Sequence, residues 1–351
     1  MLFGKKDHLV GLDIGSRTIK VCEIESTPEG YRLSKFGTRD IDPGLIDEDG
    51  IKDHDSVGKA IRKLFKENNV KEQNVAVSVG GYSVIVKKIT VQTMSEEQLQ
   101  ETIYHEAEQY IPFDITDINI DFHIIGEGEH NPNQMNVLLV AAKKELVSDY
   151  LSILDIAGLN PCLVDVDAFA LQNIYETNYE VDDECIALVD IGAVKTSINV
   201  LKGTDSLFMR DVSLGCSQVN NKIIDQTNCS RVEAEEIKLS EKEDNISHED
   251  LAEIISSVVA DWTTEIRRAL DFFYSTYPDE RIKTIVLSGG GANIKEFQQL
   301  LTSQTSTDVK VIDPFKNIDI EGANVDSAYL GQVAPQAAIC AGLAIRRVDD
   351  K

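Results

Sequence analysis

Residues 10–24 read VGLDIGSRTIKVCEI, and residues 187–201 read ALVDIGAVKTSINVL. The two stretches align without a gap at an offset of 177 residues, from Asp13 to Asp190. Each runs as an apolar strand, an Asp, one apolar residue, a Gly, a tight turn and a returning strand. A repeated half-molecule unit predicts two related domains facing each other across a cleft. The unit suits phosphate. Gly15 and Gly192 allow a sharp turn and close backbone approach, and N–H groups at such a turn make an anion-binding concavity. Ser16 adds a hydroxyl donor, and Lys20 brings a cation near. Asp13 and Asp190 stand at strand ends, where facing domains would let two carboxylates converge on a hydrated Mg²⁺.

A third element, Ser288-Gly289-Gly290-Gly291-Ala292-Asn293, follows a strand and precedes a helix. Three glycines there allow the backbone to approach a flat or charged ligand, or serve only as a strand-to-helix turn. Lys195 stands beside the second phosphate turn, where it contacts phosphate or lies solvated.

Working outward, the spacing predicts strands over 9–14, 18–25 and 31–36, a helix over 56–66 and a strand over 74–80. A strand over 84–91 precedes a helix that Ser95 caps, with Gln98 completing a capping box, that runs to about Tyr110 and stops at Pro112. Strands over 118–125 and 137–142 flank a polar loop at 126–134, and a helix over 146–157 closes at Gly158. Residues 84–159 therefore read as a compact β-α-β-β-α insert. The second half repeats the pattern: strands over 162–166, 186–192, 196–201 and 206–212, and helices over 168–175, 218–227, 231–239 and 248–277. A strand over 284–287, a helix over 294–301 and a strand over 309–312 follow. Residues 314–333 read as loop and 334–344 as a closing helix. The domain expectation is 1–83 for the first domain, 84–159 for the insert and 160–184 for the return and crossover. Residues 185–333 form the second domain, and 334–351 pack back on the first.

Composition bounds the function. The chain has 351 residues, too long for one ordinary core. Its net charge of −26 argues against nucleic acid or an anionic membrane as the main partner and fits a basic segment of another protein, or solubility alone. The six cysteines form no CxxC pair, and scattered thiols suit a reducing compartment. The opening Met-Leu-Phe-Gly-Lys-Lys makes no signal peptide, no run reaches the roughly 20 apolar residues of a membrane span, and the closing residues 346–351 make no amphipathic anchor. The expectation is a protein that does not insert directly in a membrane and does not bind nucleic acid.

The order Asp13-x-Gly15-Ser16, Asp190-x-Gly192 with Thr196, then Ser288-Gly289-Gly290-Gly291 resembles the two phosphate hairpins and adenosine loop of the actin, heat-shock-chaperone and sugar-kinase superfamily. Glu235, Glu236 and Lys238 match where that superfamily contacts ribose or adenine, or form a solvated helix face. More closely, Glu106-Ala107-Glu108-Gln109-Tyr110-Ile111-Pro112-Phe113-Asp114-Ile115, Asn119-Ile120-Asp121-Phe122 and Val164-Asp165-Val166-Asp167-Ala168-Phe169-Ala170-Leu171 resemble the PilM family of type IV pilus assembly proteins, relatives of FtsA. So does the closing stretch Ala334-Pro335 through Arg346.

The resemblance implies an α/β, actin-like (ribonuclease H-like) two-domain fold with an FtsA-type inserted subdomain. It implies ATP and Mg²⁺ as cofactors, with Asp13, Asp190 and Asp167 reaching the metal mostly through water. It implies a cytoplasmic adaptor, peripheral to the inner membrane, that grips the N-terminal tail of a single-span PilN-type protein and joins other pilus motor components. Carried over, the tail groove draws on Tyr104, Tyr110, Ile111 and Phe113, which otherwise are core residues. Ala193 departs from the second glycine many relatives carry. Asp165 or Asp167 would orient a water for hydrolysis or only hold metal-bound water, so slow or absent turnover is expected. A homo-oligomer is a further partner expectation, and a small-molecule kinase and an FtsA-like filament former are the competing readings.

Overall fold

The computed structural model describes residues 8–128, 131–239 and 246–348. The opening six residues, part of the polar loop and the last three residues, all read above, lie outside that description. In the first domain β1 (Val10–Ile14), β2 (Thr18–Thr27) and β3 (Gly30–Asp40) form an antiparallel meander. A small ribbon, β4 (Ile46–Asp47) and β5 (Gly50–Ile51), leads to α1 (His54–Glu67). There Asp53 caps the first turn by accepting from the Ser56 N–H. β6 (Asn74–Val79) then pairs parallel to β1.

The insert follows as β7 (Val84–Gln92), α2 (Glu96–Ala107), β8 (Ile118–Glu127) and β9 (Gln134–Lys143), an antiparallel sheet in the order β7-β9-β8. α2 opens with the expected reciprocal Ser95 and Gln98 bonds, but ends at Ala107. The insert has its own small core, including Leu99, Ile103, Ile118, Val137 and Leu139. α3 (Lys144–Ala157) follows β9 with no loop. Its buried Ile153, Leu154 and Ala157 pack with Val57, Ile61 and Leu64 of α1, in the first domain's core. The helix expected to close the insert thus covers the first sheet: chain continuity groups it with β9, while its apolar face groups it with α1.

β10 (Asn160–Val166) extends the first sheet parallel to β6, and α4 (Asp167–Asn178) crosses to the second domain. That domain repeats the plan: a meander of β11 (Cys185–Ile191), β12 (Thr196–Lys202) and β13 (Asp205–Val212), then α5 (Ser217–Thr227), α6 (Arg231–Lys238) and α7 (His248–Thr276). α7 buries Leu251, Ile254, Val258, Trp262, Ile266 and Phe273 at helical spacing on the sheet. Each such side chain contributes roughly 1.5–3 kcal/mol on leaving water. β14 (Ile282–Ser288) pairs parallel to β11, a 3₁₀ turn spans Gly290–Asn293, and α8 (Lys295–Thr305) leads to β15 (Asp308–Val311). The sheets read β10-β6-β1-β2-β3 and β15-β14-β11-β12-β13, so the sequence repeat is a repeat of whole sheets.

Residues 314–333, expected as loop, hold β16 (Ile318–Asp319), paired to β3, and α9 (Ser327–Val333), capped by Asp326. Two strand residues make no period, and α9 buries only Leu330, so neither leaves a hydrophobic pattern to read. After a 3₁₀ turn at Ala334–Ala337, α10 (Ala338–Ala344) packs on α4 and β1. The approach is close: a Cβ on Gly342 would lie 1.8 Å from the Ala170 carbonyl oxygen. Together α4 and α10 share one core with residues from both sheets, among them Cys22, Leu188 and Val286. This is the two-domain, ribonuclease H-like arrangement with an insert that the resemblance implies.

Candidate functional site

Asp13 is the penultimate residue of β1, and its carboxylate pairs with Lys20 of β2 at 2.8 Å. Lys20 is buried and also donates to the Thr18 carbonyl at 3.3 Å. Burial works against its charge, but the Asp13 carboxylate outweighs burial and holds its pKa above the ordinary value. A Cβ on Gly15 would lie 2.8 Å from the Thr18 oxygen and 3.6 Å from Lys20 Nζ. Gly15 is not among the residues of positive φ, so the turn demands space there rather than unusual handedness. Ser16 sits half-buried in that turn.

In the second hairpin the Gly192 N–H donates to the Lys195 carbonyl at 2.9 Å. The Gly192 and Ala193 carbonyls accept from the N–H groups of Cys216 and Ser217, at 3.0 and 2.8 Å. The start of α5 thereby fixes the hairpin. Thr196 is fully buried and donates to the Leu214 carbonyl at 2.9 Å, so its hydroxyl is engaged within the second domain.

Asp190 lies opposite Ser288 in the β11–β14 register and accepts from its hydroxyl at 2.7 Å. Burial pushes the Asp190 carboxyl up to about 6, with the Asp13 and Asp167 charges adding to it. Asp167, first residue of α4, accepts from Ser78 Oγ at 2.6 Å and Lys195 Nζ at 2.5 Å. Burial opposes the Asp167 charge, yet the Lys195 ammonium outweighs it and holds the carboxyl below its usual range. Lys195 is shifted up for the converse reason: Asp167 and Asp211 outweigh its burial. Asp13, Asp167 and Asp190 therefore converge, with lysines on two of the three. Among the described residues no group of three His, Cys, Asp or Glu side chains is placed to hold a metal directly.

The three glycines after β14 differ in role. Gly289 has φ 80° and ψ −178°, and a Cβ there would lie 2.4 Å from the Ile191 oxygen. A Cβ on Gly291 would lie 2.4 Å from Ile191 Cγ2 and 3.2 Å from the Trp262 ring, so that glycine serves packing. Gly290 has room, its nearest neighbour being Cys216 Sγ at 3.9 Å. On α6, Glu235 accepts from Lys238 at 2.7 Å and Asn220 at 2.6 Å, and faces Arg17 of the first hairpin at 3.9 Å. Burial opposes its charge and Lys238 outweighs that, so its carboxyl is held low.

Sequence reasoning missed several residues of this cleft. Ser78 orients Asp167. Gly80 and Gly81 continue from β6, and a Cβ on Gly80 would meet Lys195 Nζ at 2.3 Å and Asp167 Oδ2 at 2.6 Å. The adjacent glycines at a strand end were the available signal. Tyr150 of α3 lies in the field of Asp167, Lys195 and Asp13, its hydroxyl pKa raised first by burial. Nothing in the spacing pointed to it. Asp165, by contrast, is drawn out of the set: it pairs with Arg346 at 2.8 Å and ties β10 to the C-terminal end. In the insert, Ile111 is buried at 6% exposure while Tyr104 is 47% exposed. Tyr110 and Phe113 are half-buried, under Lys87 and Lys143 at 5.4 and 4.7 Å.

The cleft fits a nucleotide. Two cations stand at its two hairpin turns, and Gly290 leaves open space on the loop after β14. Arg17 Nε and Asn220 Oδ1 are buried without hydrogen-bond partners, polar atoms that a ligand there would satisfy. Three convergent carboxylates suit a hydrated divalent cation more than a stripped one.

Comparison with known proteins gives the same fold. The chain is similar to a solved structure of a PilM–PilN type IV pilus biogenesis complex, with TM-score 0.86, 27% identity, and coverage of 99% of this chain and all of that one. It also resembles the ethanolamine utilization protein EutJ from Carboxydothermus hydrogenoformans, with TM-score 0.59, 12% identity, and coverage of 97% of this chain and 90% of that one. A third match is MreB 5 of Spiroplasma citri bound to AMPPNP, with TM-score 0.51, 11% identity, and coverage of 96% of this chain and 95% of that one. At such identities the last two speak for the fold alone. Residues 11–348 match the family described as type IV pilus assembly protein PilM, and the chain belongs to that family.

Proposed function

We propose that this protein is an ATP-binding cytoplasmic adaptor of the type IV pilus inner-membrane assembly complex, or of a related secretion system. It binds the short N-terminal cytoplasmic tail of a single-span PilN-type protein and sits at the inner membrane through that partner. The observation that carries the reading is the convergence of Asp13, Asp167 and Asp190 between the two hairpins, paired with whole-length likeness to a PilM–PilN complex. No helix among the described residues is long and apolar enough to cross a membrane, in keeping with attachment through a partner.

In this reading Gly15, Ser16 and Lys20 hold one side of the polyphosphate, and Gly192 and Lys195 hold the other. Gly289 and Gly290 face the nucleoside, with Glu235 and Lys238 at its sugar. Asp13, Asp167 and Asp190 would hold a magnesium ion, which would supply positive charge against the polyphosphate. Bound Mg-ATP would supply a charged bridge between the two hairpins, and thus between the two domains. Turnover is slow or absent. Asp167 already holds Lys195 and Ser78, and Asp165 is tied to Arg346, so neither is a free base for water. The same engagement disfavours a small-molecule kinase. The tail docks on the insert, where Tyr104, Tyr110 and Phe113 offer contact surface and Ile111 shapes it from within.

The test is fluorescence anisotropy with a labelled peptide from the N-terminus of the single-span protein encoded beside this one. Nucleotide-loaded protein should bind it at micromolar concentration or tighter. Folded, nucleotide-loaded protein that leaves the peptide free would overturn the adaptor reading.

A further inference from the structure

The linker that carries the chain from the first domain into the insert is bonded to the opposite domain. The Gly81 N–H donates to Asp211 Oδ2 at 2.5 Å, and the Ser213 N–H donates to the Tyr82 hydroxyl at 3.2 Å. Asp211 lies near the end of β13 and Ser213 just past it, and β7 touches β13. Tyr82 is 64% exposed, so its hydroxyl rather than buried ring area makes this contact. The exit from the insert is bonded to its entry: the Lys143 N–H donates to the Ser83 carbonyl at 2.9 Å. Entry and exit therefore move as one, and what holds residues 80–83 holds the root of the whole insert.

Against the same linker lies Lys195, part of the second phosphate hairpin. Its Nζ fills the space beside Gly80 and bridges to Asp167 on the crossover. Asp211 acts on Lys195 as well as on Gly81, so one carboxylate faces both the cleft cation and the linker. Arg17 facing Glu235 adds a further contact between the domains.

We infer that residues 80–83, held by Asp211, Ser213 and Lys195, form a latch through which a polyphosphate in the cleft sets the position of the insert and its affinity for a tail peptide. The inference rests on the proposed function above. Its physical basis is differential affinity. Each of these contacts forms only when the domains stand close, and a ligand that touches both hairpins binds that closed state better than an open one. Nucleotide therefore favours the latched linker, and the latched linker fixes the insert. By reciprocity, the tail peptide tightens nucleotide by the same factor.

The experiment uses the full chain, wild type, Tyr82→Phe and Tyr82→Phe/Asp211→Ala, with and without Mg-AMPPNP. Amide hydrogen exchange is followed over residues 80–92 and 211–213, and anisotropy gives the tail-peptide affinity. In the wild type, AMPPNP should slow exchange in both segments and tighten the peptide at least about fivefold. In the double variant, AMPPNP should bind more weakly, because contacts that favour the closed state are gone, and at saturating AMPPNP the peptide should bind as it does without nucleotide. Tyr82→Phe alone, remote from the cleft cations, should weaken the coupling too. Exchange unmoved by bound nucleotide in the wild type, or full coupling surviving in both variants, would overturn the latch. A peptide that never binds the wild type would overturn the tail reading instead, and the exchange data, which need nucleotide alone, still decide the latch.

Discussion

Two neighbouring glycines separate the needs of the fold from the needs of the ligand. Gly289 occupies a backbone region, φ 80° and ψ −178°, that side chains with a Cβ essentially avoid. Forcing Ala into it costs about 1–3 kcal/mol of strain. Its Cβ would also lie 2.4 Å from the Ile191 oxygen and 2.7 Å from the carbonyl carbon. Those are main-chain atoms of a central strand, and relieving such a clash costs a further 1–3 kcal/mol or so. Gly289→Ala should therefore lose roughly 2–6 kcal/mol, a large share of the 5–15 kcal/mol of a typical domain. At about 3 °C per kcal/mol, its melting temperature should fall by roughly 6–18 °C. Gly290→Ala meets nothing nearer than Cys216 Sγ at 3.9 Å, so it should melt within about 2 °C of wild type. Its methyl enters the open side of the loop and should weaken ATP. Thermal unfolding without ligand and calorimetric titration with Mg-ATP read the two effects apart. A Gly289→Ala chain as stable as wild type would refute the strain argument. A Gly290→Ala chain with unchanged ATP affinity would remove that glycine from the site.

Asp190 gives a pH signature: its folded carboxyl is raised to about 6, so the folded chain binds more protons than the unfolded chain between its ordinary value and 6. Stability gains as pH falls through 6, and Asp190→Asn should melt above wild type at about pH 7.5, by a margin that shrinks toward about pH 4; a margin independent of pH would contradict the buried-charge origin. Asp167→Ala should weaken Mg-ATP and lower stability by stranding Lys195, whereas Asp165→Ala should leave ATP affinity within about twofold, as calorimetry would show. Ile111→Ala should cost about 2–5 kcal/mol of insert stability in denaturant unfolding. Tyr104→Ala should leave stability unchanged and loosen the tail peptide, and the reverse pattern would move the groove elsewhere.

The fold was largely legible because its signal is a repeat. Two Asp-x-Gly hairpins at one offset implied two related sheets, and the sheets do follow one order. What escaped has physical causes. β16 and α9 expose too much of themselves to leave a period, and α3 belongs by its apolar face to a domain other than the one beside it in sequence. In the cleft, the motif glycines were legible because the chain turns or packs tightly there: a Cβ on Gly15, Gly192 or Gly289 would meet a carbonyl oxygen at 2.8, 3.1 or 2.4 Å. Lys195 was seen as a cation near phosphate but not as the partner of Asp167, 28 residues away. Thr196 and Gly291 matched a pattern, yet the structure commits them to hairpin and packing. Ser78, Tyr150, Arg17 and Asn220 come together only through the tertiary fold, so no local spacing could name them.

The central claim is that the cleft between the hairpins holds one nucleotide. Isothermal titration of the purified, nucleotide-stripped chain with Mg-ATP tests it most directly. Saturable binding of one ATP per chain, lost on placing a bulky residue at Gly290 without loss of folding, is the predicted result. A folded chain that shows no saturable binding of Mg-ATP in the titration would contradict it.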